Sequence, residues 1–113
     1  MSSNLFHFCI VRSDMTFGQI CAQLTHAAGE SAALFGKPLP PETIAVVLAS
    51  KNEEHLIQIK EKLDHLDIEH VSFYEPDFPF NGAMTAIGVI PRKRDKKIRK
   101  VVSTLGLMKG STL

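Results

Sequence analysis

Two short apolar runs are each followed directly by a helix-forming pattern, and this alternation restricts the chain to few folds. The runs LFHFCIV and TIAVVLA, residues 5–11 and 43–49, predict two buried strands. After the first run, Thr16 and Gln19 have the spacing of a capping box, and the helical pattern continues to a stop at Gly36. Such alternation predicts a mostly parallel sheet covered by helices on both faces.

The second half of the chain repeats this pattern and adds a hairpin. A capping-box spacing at Ser50 and Glu53 predicts a second helix, and residues 68–74 and 83–90 predict two more strands. The loop between those strands is too short for a helical crossover, so we expect an antiparallel pair and a mixed sheet. Residues 95–105 predict a last helix. The predicted order is β-α-β-α-β-β-α in a single α/β domain of 113 residues.

Composition argues against membrane, secreted and metal-dependent classes. No apolar run approaches the ~18 residues that span a bilayer, and the N-terminus lacks the features of a secretory signal. Cys9 and Cys21 both lie in apolar segments and predict buried, reduced thiols, which suit a cytoplasmic protein. The sequence has no Cys/His pairing at zinc spacing and no GxSxG, P-loop or GxGxxG motif. We therefore expect no metal and no cofactor.

Charge is divided unevenly along the chain. Residues 1–91 carry five basic and eleven acidic side chains, whereas residues 92–113 carry eight basic and one acidic. The basic run RKRDKKIRK begins with five cations that could bind phosphates: Arg92, Lys93, Arg94, Lys96 and Lys97. Such a run equally suits the solvated face of a helix.

Two turns at the ends of predicted strands are the places where a site would form. The first, VRSDMTFGQ, has residues that suit an anion at a helix start: Asp14, Thr16, Gly18 and Gln19. The second, YEPDFPFNGAMT, has three oxygen-bearing side chains: Glu75, Asp77 and Thr85. A polar row at helical spacing would lie between the turns: Gln19, Gln23, His26 and Glu30.

Each of these residues also has a purely structural interpretation. Gln19 can do no more than complete the cap, and Gln23 and Glu30 can be solvated residues of a helix face. His26, among small neighbours, can be a buried, hydrogen-bonded histidine. The acidic residues around Pro76 fit a simple turn.

The first turn and helix resemble the first motif of the type II peptidyl-tRNA hydrolases. In that motif a strand ending Arg-x-Asp leads through a turn into a helix with Ala-Gln-x-x-His-Ala, and the matching residues here are Arg12, Asp14, Gly18, Ala22, Gln23, His26 and Ala27. The segment EPDFPFNGAMTAIGVIP is similar to the second motif, an Asp-Ala-Gly-x-Thr turn followed by Gly-Thr-x-Thr and a strand ending Ala-Ile-Gly-Pro. The resemblance covers about residues 5–109.

This resemblance implies a three-layer α/β/α fold with a four-stranded mixed sheet, and often a homodimer. It implies metal-independent cleavage of the ester joining a peptide to tRNA, with the helix start holding the 3′ end and the basic run the RNA backbone. Glu75 or Asp77 would position or activate water. Gln23 and His26 would orient these neighbours, and Thr85 would hydrogen-bond the ester region.

The chain departs from the family pattern at two lysine positions in the first turn, which are Phe17 and Gln19 here. One of those lysines is thought catalytic, and a glutamine amide neither carries charge nor transfers a proton at neutral pH. In this respect the chain more closely resembles the peptidyl-tRNA-hydrolase-domain-containing subgroup. A non-catalytic RNA- or protein-binding module, or a small-molecule hydrolase or transferase on this fold, therefore stays an alternative.

Overall fold

The computed structural model describes residues 4–109, which alternate strands and helices before a hairpin. In chain order the elements are β1 (Leu5–Arg12), α1 (Phe17–Phe35), β2 (Ile44–Ser50), α2 (Glu53–His65), β3 (His70–Glu75), β4 (Ala83–Val89), β5 (Arg92–Lys93) and α3 (Lys96–Val102). The strands lie in the order β2-β1-β4-β3, and β5 also pairs with β1.

The sheet is mixed, as predicted, but the expectation of a mostly parallel sheet is wrong. Among the described strands, β1 and β2 pair in parallel, whereas β1–β4, β1–β5 and β3–β4 pair antiparallel. The reason is the hairpin, which brings β4 back between β1 and β3 and so reverses the chain beside β1.

The two-residue strand β5 raises the number of strands between residues 4 and 109 to five, against the four expected. It continues the course of β4 along the same side of β1. β4 pairs with Cys9, Ile10 and Val11, and β5 pairs with Leu5 and Phe6. A proline between the two strands lacks the N–H that the ladder needs, so the pairing is interrupted there.

Different helices cover the two faces of the sheet, which confirms the three-layer α/β/α architecture. α2 and α3 cover one face, where Leu56 and Leu63 pack with Ile10 in the larger core cluster. Burial of each such side chain contributes about 1.5–3 kcal/mol. The next residue of β1, Val11, points to the opposite face and packs with Ala27 of α1.

Gly88 of β4 lets α1 lie close to the sheet. A Cβ atom at this position would meet the carbonyl oxygen of Ala27 and lie 2.5 Å from Ser31 Oγ. Ser31 is fully buried, donates to the Ala27 carbonyl at 2.7 Å, and has its Oγ 2.6 Å from Nε2 of His7. This contact fixes the depth at which α1 rests on the strands.

Helix α1 begins and ends as its sequence predicts. Thr16 is the N-cap residue and forms both hydrogen bonds of the capping box with Gln19. Gly36 ends the helix in the left-handed conformation, with a φ of 85°, where a side chain would be strained.

The cap predicted for the second helix is wrong. Asn52 caps α2, and its side chain accepts from the backbone N–H of His55. Ser50 cannot cap because it is still the last paired residue of β2. The carboxylate of Glu53 instead accepts a hydrogen bond of 2.8 Å from the backbone N–H of Met84.

The last helix is shorter than the predicted range of residues 95–105. Asp95 is its N-cap residue, and α3 ends at Val102. Residues 106–108 then run along the outer edge of β2, where the Ala49 N–H donates to the carbonyl of Gly106 and Met108 donates to Val47. Residues 103–105 form a turn that connects α3 to this pairing.

The two thiols differ in surroundings. Cys9 is buried under α1, whereas Cys21 is exposed, so the prediction of two buried thiols is wrong for Cys21. Cys21 lies on the side of α1 that faces away from the sheet. Within residues 4–109, no helix is long and apolar enough to cross a membrane, and no three His, Cys, Asp or Glu side chains cluster as metal ligands.

Candidate functional site

The two predicted turns lie beside each other at one end of the sheet and enclose a cleft of about 250 Å³. The start of α1 supplies four lining residues: Gly18, Gln19, Ala22 and Gln23. The β3–β4 loop supplies five more: Glu75, Asp77, Phe78, Pro79 and Phe80. β1 and β3 end here and β4 begins here, so the sheet itself brings these turns together.

A chain of hydrogen bonds links β4, α1 and the loop. Thr85 Oγ1 donates to Gln23 Oε1 at 2.7 Å, and Gln23 Nε2 donates to Glu75 Oε1 at 2.9 Å. Glu75 Oε2 accepts from the backbone N–H of Asp77 at 3.1 Å. Thr85 is fully buried and Gln23 nearly so, whereas Glu75 is half-buried. The chain therefore ends in a carboxylate held in one orientation on the cleft wall.

A β-bulge brings Thr85 into this chain. Phe73 pairs with Ala86, but the next residue, Tyr74, pairs with Met84, so Thr85 has no partner across the hairpin. The extra residue allows both Thr85 and Ala86 to face the α1 layer, where strict alternation would turn one of them away. Thr85 contacts Gln23 there, and Ala86 packs in the cluster beneath α1.

The carboxylate of Glu75 is stabilised in its charged form. Hydrogen bonds from Gln23 and from the Asp77 backbone, with a smaller contribution from nearby His26, lower the pKa of Glu75. Glu75 is thus ionised at neutral pH and is a weaker proton acceptor than an ordinary glutamate.

The four residues of the polar row on α1 have different surroundings. Gln19 completes the cap, its Oε1 accepting from the Thr16 N–H at 3.0 Å, and it also borders the cleft. Gln23 is 3% exposed, so its interpretation as a solvated residue is wrong, because β3 and β4 lie beneath it. Glu30 is exposed, as a solvated face residue should be.

His26 lies at the rim of the site. It is exposed, so its interpretation as a buried histidine is wrong. Its ring stacks on Phe73 of β3 with ring centroids 4.4 Å apart and an angle of 7° between the planes. This stacking fixes the imidazole on the side of the cleft where Glu75 ends β3.

Arg12 is held at the end of β1 by an ion pair with Asp14, which was not predicted. Its Nε and Nη2 atoms donate to both carboxylate oxygens of Asp14, at 2.9 and 3.0 Å, and Nη1 donates to the Met84 carbonyl at 3.1 Å. The guanidinium lies 5.5 Å from the ring centroid of Phe80. The carboxylate of Asp14, which was expected to contact substrate, therefore forms a structural ion pair with Arg12. The spacing Arg-x-Asp was the available signal, whereas Phe78 and Phe80 had no comparable one.

The structure does not bring the basic run together with the cleft. β5 pairs with Leu5 and Phe6 at the start of β1, whereas the cleft lies beyond the other end of that strand at Arg12. Six strand residues separate these ends by roughly 20 Å. α3 also covers the face of the sheet opposite α1. The cations that stand apart from the cleft are Arg92, Lys93, Arg94, Lys96 and Lys97.

Comparison with known proteins gives one family and one fold. The sequence model of the family described as "Peptidyl-tRNA hydrolase PTH2" matches residues 6–108. No curated protein sequence matches the chain significantly. A solved structure, of a protein of unknown function from Agrobacterium tumefaciens strain C58, is similar with a TM-score of 0.74 and 16% identity, over 96% of this chain and 100% of that chain. At this identity the similarity concerns the fold.

Proposed function

Because this chain belongs to the type II peptidyl-tRNA hydrolase family, we propose that it cleaves the ester joining a peptide to the 3′ end of tRNA. The observation that carries this proposal is the hydrogen-bond chain from Thr85 through Gln23 to Glu75. It holds an ionised carboxylate against an open cleft, which is a geometry suited to orienting a water molecule for attack.

In the proposed reaction, water attacks the ester carbonyl carbon and the tRNA oxygen leaves. Glu75 keeps lone pairs free after accepting its two hydrogen bonds, so it orients the water. We assign the proton of the water to the carboxylate of Asp77, which is exposed and lines the same cleft, and from which the proton passes to the leaving oxygen. Thr85 is fully buried and donates to Gln23, so we assign Thr85 to positioning and not to ester contact.

A non-catalytic tRNA-binding module on the same fold is the second candidate. The side chain of Gln19 is used in the helix cap, and Arg12 is paired with Asp14. Gln19 is uncharged in any case and Arg12 is neutralised, so neither supplies a free positive charge to the oxyanion that forms when water attacks an ester. This arrangement favours binding without cleavage.

The experiment that separates the candidates measures release of an N-acetylated amino acid from tRNA by the purified protein. Turnover by the wild type supports the hydrolase, and Glu75→Gln with Asp77→Asn should then slow release by about 100-fold or more. The matched control replaces two exposed acids outside the cleft, Glu61→Gln with Glu69→Gln, and should keep the wild-type rate.

Each remaining outcome of that experiment is decisive. Salt-sensitive tRNA binding without release would support the binding module and reject the hydrolase. Absence of both release and binding would reject both candidates.

We further propose that the basic run contacts the RNA backbone and that the protein acts in the cytoplasm as a homodimer. Lys96→Glu with Lys97→Glu should weaken tRNA binding. It should also make the slope of log affinity against log salt concentration shallower, by about the contribution of two phosphate contacts. The control pair Lys37→Glu with Lys51→Glu, outside the run, should change both less. Sedimentation of the purified protein measures the oligomeric state.

A further inference from the structure

The aromatic residue at the mouth of the cleft is exposed to an unusual degree. Phe78 lines the cleft from the β3–β4 loop, and its side chain is 87% exposed. Pro79 and Phe80 of the same loop line the cleft beside it. Large aromatic side chains are normally buried, and exposed ones beside a cleft are typical of a contact surface.

We propose that Phe78 stacks on the terminal nucleobase of the tRNA 3′ end. This inference rests on the proposed tRNA substrate and adds which part of that substrate the cleft receives. Stacking on aromatic rings is the common way in which proteins hold unpaired bases of single-stranded RNA ends.

The charges of the cleft favour a base over a phosphate. Of the described residues that line it, none is Lys or Arg, and two are the acids Glu75 and Asp77. Arg12, nearby, is neutralised by Asp14. A phosphate would be repelled by the acids, whereas a nucleobase is neutral and needs a flat apolar partner.

The volume of the cleft and the hydrogen bonds that hold its loop both suit the binding of one nucleobase. The cleft volume of about 250 Å³ is just below the ~300 Å³ of small ligand pockets, which leaves room for one nucleobase. The loop that presents Phe78 is tied by hydrogen bonds from Phe80 N–H to the Asp77 carbonyl at 2.9 Å and from Gly82 N–H to the Glu75 carbonyl at 2.7 Å. A ring presented from such a turn loses little freedom on binding.

The test uses an RNA hairpin with the tRNA acceptor sequence, no acyl group, and fluorescent 2-aminopurine as its 3′ base. We expect the wild-type protein to quench the fluorescence on binding. Phe78→Leu keeps an apolar side chain but removes the stacking face, so it should lose most of the quenching and bind about tenfold more weakly. The matched control is Leu34→Ala. Leu34 is also a large exposed apolar residue (63% exposed), but it lies in α1 outside the cleft, so this variant should behave as wild type.

An RNA that ends in an abasic nucleotide completes the test. Wild type and Phe78→Leu should bind it equally, because no base remains to stack. Unchanged quenching and affinity in Phe78→Leu, or absence of quenching by the wild type, would overturn the stacking proposal. Because this RNA has no ester, neither result depends on hydrolysis, and release measured separately decides the proposed function.

Discussion

Replacing Thr85 by valine removes the buried donor that holds Gln23. Valine has nearly the shape of threonine but no hydroxyl, so Gln23 Oε1 loses its partner at 2.7 Å. Gln23 is 3% exposed, and water cannot readily replace that donor. An unsatisfied buried acceptor costs about 1–3 kcal/mol. The new methyl group offsets part of this, about 0.8 kcal/mol.

We therefore expect the free energy of unfolding to fall by about 0.2–2 kcal/mol, and Tm to fall by up to about 10 °C. Urea unfolding followed by far-UV circular dichroism measures the change. Thr25→Val is the matched control, because the Thr25 hydroxyl donates to the Cys21 carbonyl at 2.8 Å on the exposed side of α1. Its loss should change the free energy of unfolding by less than about 0.5 kcal/mol.

The result that would refute this reasoning is equally specific. If Thr85→Val loses no more stability than Thr25→Val, the hydrogen bond does not hold the amide of Gln23. A second measurement is the pKa of Glu75, which should rise when Gln23 is released, since the hydrogen bond from Gln23 is the largest cause of its lowering. An unchanged pKa would separate Glu75 from the rest of the chain.

Three further predictions concern the helix contact, the thiols and acid. Gly88→Ala should destabilise the protein by about 2 kcal/mol or more, whereas Gly29→Ala, facing open space on α1, should stabilise it by about 0.5–1 kcal/mol; urea unfolding of both checks the contact. Burial raises the pKa of the Cys9 thiol to about 11, so a thiol reagent at about pH 8 should modify Cys21 and spare Cys9 until the protein is unfolded; equal rates would contradict this. Because the pKa of Glu75 is lowered, its contribution to stability is present above the ordinary value of 4.5 and lost as pH falls through the lower folded value; a carbon NMR titration midpoint at or above 4.5 would contradict this.

The sequence by itself determined the order of the longer elements, without the two-residue β5, and the position of the cleft. The capping box of Thr16 and Gln19 and the stop at Gly36 act through residues close together in the chain, so their outcome is readable without a fold. The cleft lies where the first strand-to-helix turn and the β3–β4 loop were predicted to form it, because strand ends and helix starts share an edge of the sheet.

Only the tertiary structure decided which side chains hydrogen-bond to each other in the cleft. Gln23 hydrogen-bonds to Glu75, which is 52 positions later in the sequence, and to Thr85, which is 62 positions later. Thr85 faces Gln23 because of a β-bulge that the local sequence pattern does not predict. Burial of Gln23 likewise depends on which strands lie beneath α1. The same holds for the distance between the basic run and the cleft, which follows from β5 pairing at the far end of β1. Such features arise from contacts between segments that are distant in the sequence, and the local periodicity of apolar residues does not predict them.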